Sequence, residues 1–276
     1  MKRVLGWLLV CLPVAAGAQS VQDSLAIAAI RWDTCCVRPH LVAVQAQLEL
    51  FGAPQAISMV RYDAGRYRTR IVQPDSLTLT SVLAEAEGAV AAVNAGYFNV
   101  KTLVPSTFVR VGGRTVAATE AREEFRVNGV VAIKGRRVRI EPYVPADDAR
   151  LARRYRDALA AGPLLLCRGE ALSYADREGG FWGRHPRSVV GVTRRGEAVM
   201  IVVDGRFPEQ AAGMTIGELI YLVRQLGLYS ALNLDGGGSS TLWCEEAGVV
   251  NRPSDNRRFD HEGERRVTNC IAVVAE

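Results

Sequence analysis

The chain has 276 residues, 49% of them apolar and 23% charged, and its 34 basic and 29 acidic side chains give a formal net charge of +5. That length supports a proper core, either as one large domain or as one domain with a small N-terminal extension. The charge is mild, with no run of like sign and no basic helix, so nucleic acid is not an expected partner and any anionic substrate must be argued from individual arginines.

The first residues read as a targeting segment. Lys2 and Arg3 precede an apolar run, Val4 to Ala16, that is too short to span a bilayer comfortably. Ala16-Gly17-Ala18 fits a small-residue cleavage site, so the expected mature chain starts at Gln19 and carries +3, by 5 − 2. Cys11 follows Leu9 and Val10, not the small residues that a lipid-attachment site needs. No later stretch is apolar for long enough to span a membrane. The expectation is export to the periplasm or the medium, with no stable membrane insertion after cleavage. Five cysteines then remain, Cys35, Cys36, Cys167, Cys244 and Cys270, and none forms Cys-x-x-Cys. An oxidising compartment permits disulfides, the odd count leaves at least one thiol over, and the pairing stays open. Cys167 and Cys270 also suit the role of small buried residues in strands.

Residues 41–50 and 56–72 alternate as an N-terminal hairpin would. Ser76 to Glu87 reads as a helix stopped by Gly88, and Ala89 to Val93 as a buried strand ending in Asn94-Ala95-Gly96. Residues 107–118 form an expected hairpin around Gly112-Gly113, and 130–140 another around Lys134-Gly135-Arg136. Asp147 to Ala161 is expected to be helical, with Asp147 as N-cap and Gly162 just past the end. Val189–Thr193 and Ala198–Val203 flank a turn at 194–197. Thr215 and Glu218 have capping-box spacing. Ile216, Leu219, Ile220, Val223 and Leu226 then follow helical period up to Gly227. Ala231–Leu234 is a short strand that enters a glycine run, and Thr268–Val274 a final strand. Helices and strands are interspersed with hairpins, which predicts an α+β fold: a mixed β-sheet core with packed helices, not a doubly wound sheet.

Three apolar strands end in a polar residue close to glycine: at Asn94, at Asp204 and at Asp235. Such ends deliver a carboxylate or amide to a sheet rim, and the glycine lets a ligand approach closely. Each alone could be a simple turn. Asp235 stands apart because Gly236, Gly237 and Gly238 follow it, then Ser239, Ser240 and Thr241. Three glycines cost more conformational entropy than a turn requires. With the hydroxyls they suggest a backbone N–H cradle for an anion, although no Walker lysine follows. Arg187, Arg206 and His185 are candidate phosphate ligands, because the arginine fork donates two parallel hydrogen bonds. Ser239 lacks Gly-x-Ser-x-Gly spacing. His40, His185 and His261 form no His-Glu-x-x-His, which leaves a zinc hydrolase poorly supported.

Seven stretches resemble the phosphodiester glycosidase family: AAVNAGYFN at 91–99, PSTFVRVGGR at 105–114, NGVVAIKG at 128–135, AGPLLL at 161–166, HPRSVVGVTRRGEAVMIVVDGR at 185–206, GMTIGELIYLVRQLGLYSALNLDGGGSSTLW at 213–243, and VVNRPSD followed by ERRVTNCIAVV at 249–274. The resemblance covers roughly 75–276. The domain reading is therefore 1–18 signal peptide, 19–74 strand-rich extension and 75–276 phosphodiester glycosidase domain. It implies hydrolysis of the bond between a sugar's anomeric carbon and a phosphate oxygen, on a sugar phosphate or phosphoglycan of the cell envelope or a scavenged glycan. In that reading Asp235 is the carboxylate on the sugar side and Asp204 the next candidate. Asn94 and Asn233 orient the sugar. Arg187, Arg206 and Ser239 hold the phosphate, and Ser240, His185 and Asn251 join the binding set. No cofactor is implied, although two aspartates and an asparagine at one rim could hold calcium. The rival readings are a metal-assisted phosphodiesterase that breaks the P–O bond and a non-catalytic envelope glycan-binding module.

Overall fold

The structure is a computed structural model that describes residues 14–275. Helix α1 (Val14–Ala28) leads into β1 (Asp33–Arg38), β2 (Leu41–Leu50), β3 (Ala53–Asp63) and β4 (Arg68–Val72), then α2 (Thr80–Ala86) and β5 (Ala89–Asn94). There follow β6 (Phe98–Asn99), β7 (Val104–Pro105), β8 (Val109–Val111), β9 (Arg114–Ala117), β10 (Gly129–Lys134) and β11 (Arg137–Pro142). Next come α3 (Asp148–Arg154), β12 (Asp157–Ala161), β13 (Leu164–Cys167), β14 (Glu170–Ala171), β15 (Arg187–Thr193) and β16 (Glu197–Val203). The chain closes with α4 (Ile216–Gln225), β17 (Leu228–Asn233), β18 (Leu242–Cys244), β19 (Gly248–Val249) and β20 (Cys270–Val274).

One large sheet has the order β1-β2-β3-β16-β15-β17-β13-β14, and two five-stranded sheets run β11-β10-β12-β8-β9 and β19-β18-β5-β20-β4. The large sheet is buried on both faces. Along β16, Val199, Ile201 and Val203 point to α4 and α1, where they meet Leu219, Leu222, Val223 and Ile27. Ala198, Met200 and Val202 point the other way, onto side chains of both smaller sheets such as Val93, Ile271, Val131 and Leu159. This is the period-two alternation of a pleated strand with two apolar faces to fill. Helix α2 covers the outer face of the β5 sheet through Leu83 and Ala84. Burial of each valine, leucine, isoleucine or methionine among these contributes about 1.5–3 kcal/mol.

The Thr215–Glu218 capping box forms as predicted: Thr215 Oγ1 accepts from Glu218 N at 3.1 Å and Glu218 Oε2 from Thr215 N at 2.9 Å. Gly112 and Gly113 both take positive φ at the turn between β8 and β9. Two expectations fail. The helix begun at Asp148 ends at Arg154, and 157–161 is a strand paired on both sides, with β10 and β8. Its Ala-Leu-Ala-Ala run has strong helix propensity, but all four residues are buried between neighbouring strands, and tertiary pairing overrides propensity. The 56–72 stretch is not one arm of a hairpin either. It breaks after Asp63, and β4 joins the other sheet beside β20. Residues 33–72 thus add three strands to the large sheet and one to a smaller sheet. The expected cleavage point after Ala18 falls within α1, while residues 1–13 of the expected signal segment lie outside the described residues. Among the described residues no helix is long and apolar enough to cross a membrane, and the five cysteines are free thiols.

Candidate active site

The three polar strand ends meet where the large sheet abuts the β5 sheet. Asn94 Nδ2 donates to Asp235 O at 2.6 Å, while its Oδ1 accepts from Ser188 Oγ at 2.7 Å and Thr241 N at 3.0 Å. Asp235 N donates to Ala95 O and Leu234 N to Ser188 O, both at 2.8 Å. The Asp235 backbone is thereby pinned from both sheets. Asn94 is fully buried, and through these bonds it fixes the loop. Asn233 is buried too, its amide donating to Tyr97 Oη, Gly162 O and Leu234 O. Asn251 accepts from Leu242 N and donates to Asp204 Oδ1 and Ser240 O. Asn94 and Asn251 brace the loop with both amide atoms, as buried amides usually do, whereas Asn233 is held through Nδ2 while its buried Oδ1 has no hydrogen-bond partner.

Asp204 is 1% exposed, and its oxygens accept from Asn251 Nδ2 and Arg252 N. Burial pushes its pKa up to about 7, against the lowering effect of those donors. It locks the 251–252 segment under the glycine loop through both oxygens. Arg187 also braces the frame. It is 2% exposed and donates to Met214 O, Phe181 O and Gly183 O at 2.6–2.9 Å, and burial lowers its pKa to about 10. Through Nε and Nη2 its guanidinium holds Met214 and orders the 181–183 turn. His185 hydrogen-bonds Gly180 O through Nε2 at 2.7 Å and pairs through its backbone with Met214, so it too serves that turn.

The glycine run has a separate reason at each position. A Cβ on Gly236 would lie 2.6 Å from Pro186 O. Gly237 has φ +64° and a Cβ there would lie 2.9 Å from Arg206 Nη2. On Gly238 it would lie 2.5 Å from Arg265 Nη2 and 2.6 Å from Asp255 Oδ1. The expected backbone cradle is only partly available, since Gly237 N, Ser239 N and Ser240 N donate to Pro186 O, Gly236 O and Gly237 O. Ser239 and Ser240 are 1% exposed. Side chains, not main-chain N–H groups, supply most of the positive charge above the loop.

Asp235 is partly exposed. Burial of its carboxyl raises the pKa to about 6, opposed by the Ser239 hydroxyl and by Arg126 and Arg265, and assisted by Glu123. Arg206 takes φ +72°, an uncommon conformation for a non-glycine residue, and this turn lays its guanidinium over Gly237. Its pKa is lowered by burial and by Arg265, and raised by Asp255 and Asp235. Arg265 is ion-paired to Asp255. On the opposite side Arg126 sits 3.9 Å above the Tyr97 ring and pairs with the buried Glu123 at 2.6 Å. Tyr97 Oη donates to Gly162 O at 2.6 Å, with Leu234 O 3.2 Å away, and Phe181 packs edge-on to Tyr97 at 6.4 Å. The arrangement is one recessed carboxylate among three guanidinium groups, Arg126, Arg206 and Arg265, and an aromatic wall, which suits displacement of an anionic leaving group.

Sequence reasoning placed Asp235 and Arg206 here but missed Arg126, Glu123, Arg265, Asp255 and Tyr97. The only signal was position: Tyr97 and Arg265 lie inside stretches that carry the family resemblance, and Arg126 lies two residues before one. Among the described residues no group of three or more His, Cys, Asp or Glu could hold a metal. The asparagine and Asp204 proposed for calcium are already occupied by N–H and O–H donors, so that ligand set does not fit.

The sequence profile of the phosphodiester glycosidase family matches residues 87–274. No curated protein matches in sequence. The fold is similar to that of the zebrafish N-acetylglucosamine-1-phosphodiester alpha-N-acetylglucosaminidase catalytic domain auto-inhibited by its pro-peptide. The TM-score is 0.68 at 16% identity, over 94% of this chain and 93% of that one. It is also similar to a hypothetical protein from Synechocystis, with a TM-score of 0.66 at 17% identity over 90% of this chain, which spans 64% of that protein. A Burkholderia pseudomallei protein, provisionally described as exported, has a TM-score of 0.61 at 16% identity, over 94% of this chain and 89% of that one.

Proposed function

We propose that this chain, which belongs to the phosphodiester glycosidase family, hydrolyses a sugar-1-phosphodiester at the glycosidic C–O bond. The observation that carries the reading is the Asp235 carboxylate, recessed at a strand end and facing arginines from several separate segments. A phosphate monoester leaves as an anion and needs charge stabilisation more than protonation. Arg206 and Arg265 supply that charge above the glycine loop, and Asp255 aims Arg265. Asp235, mostly ionised at neutral pH, acts on the sugar side as nucleophile or as base for water. The C–O bond breaks, the phosphate takes the electron pair, and water supplies the hydroxyl of the released sugar. Phe181 and the half-exposed Phe125, packed edge-on at 5.9 Å, offer an apolar wall for the ring. The proposed substrate is an envelope or scavenged phosphoglycan. Mass spectrometry of the secreted form tests export, with Gln19 or a neighbour expected at the N-terminus and Met1 counting against it. Asp235→Asn tests the site: it should keep the fold and lose turnover of sugar-1-phosphodiesters, and a variant retaining most turnover would remove Asp235 from the role.

A further inference from the structure

Segments far apart in the chain bring basic side chains to one concave groove of about 810 Å³. Lys134, Arg137 and Arg139 come from the β10–β11 hairpin, Arg168 follows β13, and Arg194 and Arg195 form the turn between β15 and β16. All six are exposed. Among the described residues none of them is in an ion pair. The two carboxylates of the groove have partners other than these six: Glu141 with Arg150, Arg154 and Tyr155, and Asp63 with Gly65 N. Charge on an edge strand guards against sheet-to-sheet pairing, which explains Arg137 and Arg139 on β11 but not the three arginines that turns deliver to the same groove. A cleft in which basic side chains far outnumber carboxylates attracts anions, and the arginine fork matches carboxylate and phosphate oxygens.

We propose that this groove is a second, non-catalytic site that binds an anionic polysaccharide, a glycan chain bearing carboxylate or phosphate groups. A groove takes a chain better than it takes the plane of a membrane. Its one aromatic ring, Tyr229, has one face covered by Arg194 at 4.6 Å, which leaves the groove lined mainly by charge and not by stacking surface. The site lies at the ends of β15, β16 and β17 opposite those near Asp235. The seven-residue β16 alone separates the two by about 20 Å, so a polymer held in the groove raises its own effective concentration at the active site.

The test titrates labelled polymannuronate decamer against the full chain at low and physiological salt, with neutral dextran as control. Turnover of a small sugar-1-phosphodiester is followed separately, so that the groove and the active site are judged independently. Binding of the decamer but not dextran is expected, weakening as salt rises. Arg137→Ala/Arg168→Ala/Arg195→Ala should bind at least tenfold more weakly with unchanged melting and unchanged small-substrate turnover, and Arg195→Glu alone should also weaken binding. No binding, equal binding by the triple variant, or tighter binding to phosphatidylglycerol vesicles or to a DNA duplex would each overturn the proposal.

Discussion

Replacing Gly238 with alanine isolates the arginine contact on the glycine loop. Gly238 does not take positive φ, unlike Gly237, so alanine there brings no left-handed strain. Its methyl group would lie 2.5 Å from Arg265 Nη2 and 2.6 Å from Asp255 Oδ1, the far ends of two partly exposed side chains that can swing away. The stability cost should stay below about 1 kcal/mol, or about 2–4 °C in a chain of this size. The displaced guanidinium should cost a charge-assisted hydrogen bond of about 1.5–3 kcal/mol to the leaving phosphate. At about 1.4 kcal/mol per tenfold in rate, kcat/KM on a sugar-1-phosphodiester should drop roughly 10- to 150-fold. A neutral aryl glycoside should lose little. Gly237→Ala is the companion variant. It adds about 1–2 kcal/mol of left-handed strain and should melt several degrees lower while also pushing Arg206 aside. A Gly238→Ala protein with normal melting and full turnover would refute the placement of Arg265 in the phosphate site.

The acid limb of kcat/KM should fall near pH 6, where burial holds Asp235, and not near the usual aspartate value of about 3.9; a limb near 4 would contradict the recess. A raised carboxylate pKa stabilises the fold below its unfolded value, and that contribution is lost as pH rises through about 6, so Asp235→Asn should melt no lower than wild type at pH 7. Arg206→Lys should impair phosphodiester substrates far more than aryl glycosides, since lysine keeps the charge and loses the fork. Arg187→Lys should instead lower the melting temperature and impair both substrate types alike, because it breaks hydrogen bonds to three main-chain carbonyls; a stable variant with selective loss on phosphodiesters would place Arg187 on the phosphate.

Local chemistry made part of this molecule readable. The capping box before Ile216, the paired glycines at 112–113 and the polar ends of β5, β16 and β17 are short-range signals, and each stands where the sequence put it. The strand at 157–161 was unreadable because its alanines favour a helix and only β8 and β10 on either side make it a strand. The same limit governs the site. Asp235 is legible from the glycines beside it. Whether an arginine faces the ligand or braces the frame depends on carbonyls that fold in from elsewhere, as Met214, Phe181 and Gly183 do around Arg187. Arg126 and Arg265 are two of 34 basic residues, and nothing local separates them from solvated ones. Glu123 becomes legible only once Arg126 lies between it and Tyr97.

Hydrolysis of a sugar-1-phosphodiester in water enriched in oxygen-18 tests the bond assignment directly. With Asp235 acting at the anomeric carbon and the arginines holding the departing phosphate, the heavy oxygen should appear in the released sugar and the phosphate monoester should carry none. Label in the phosphate would mean attack at phosphorus, and would contradict the glycosidase assignment.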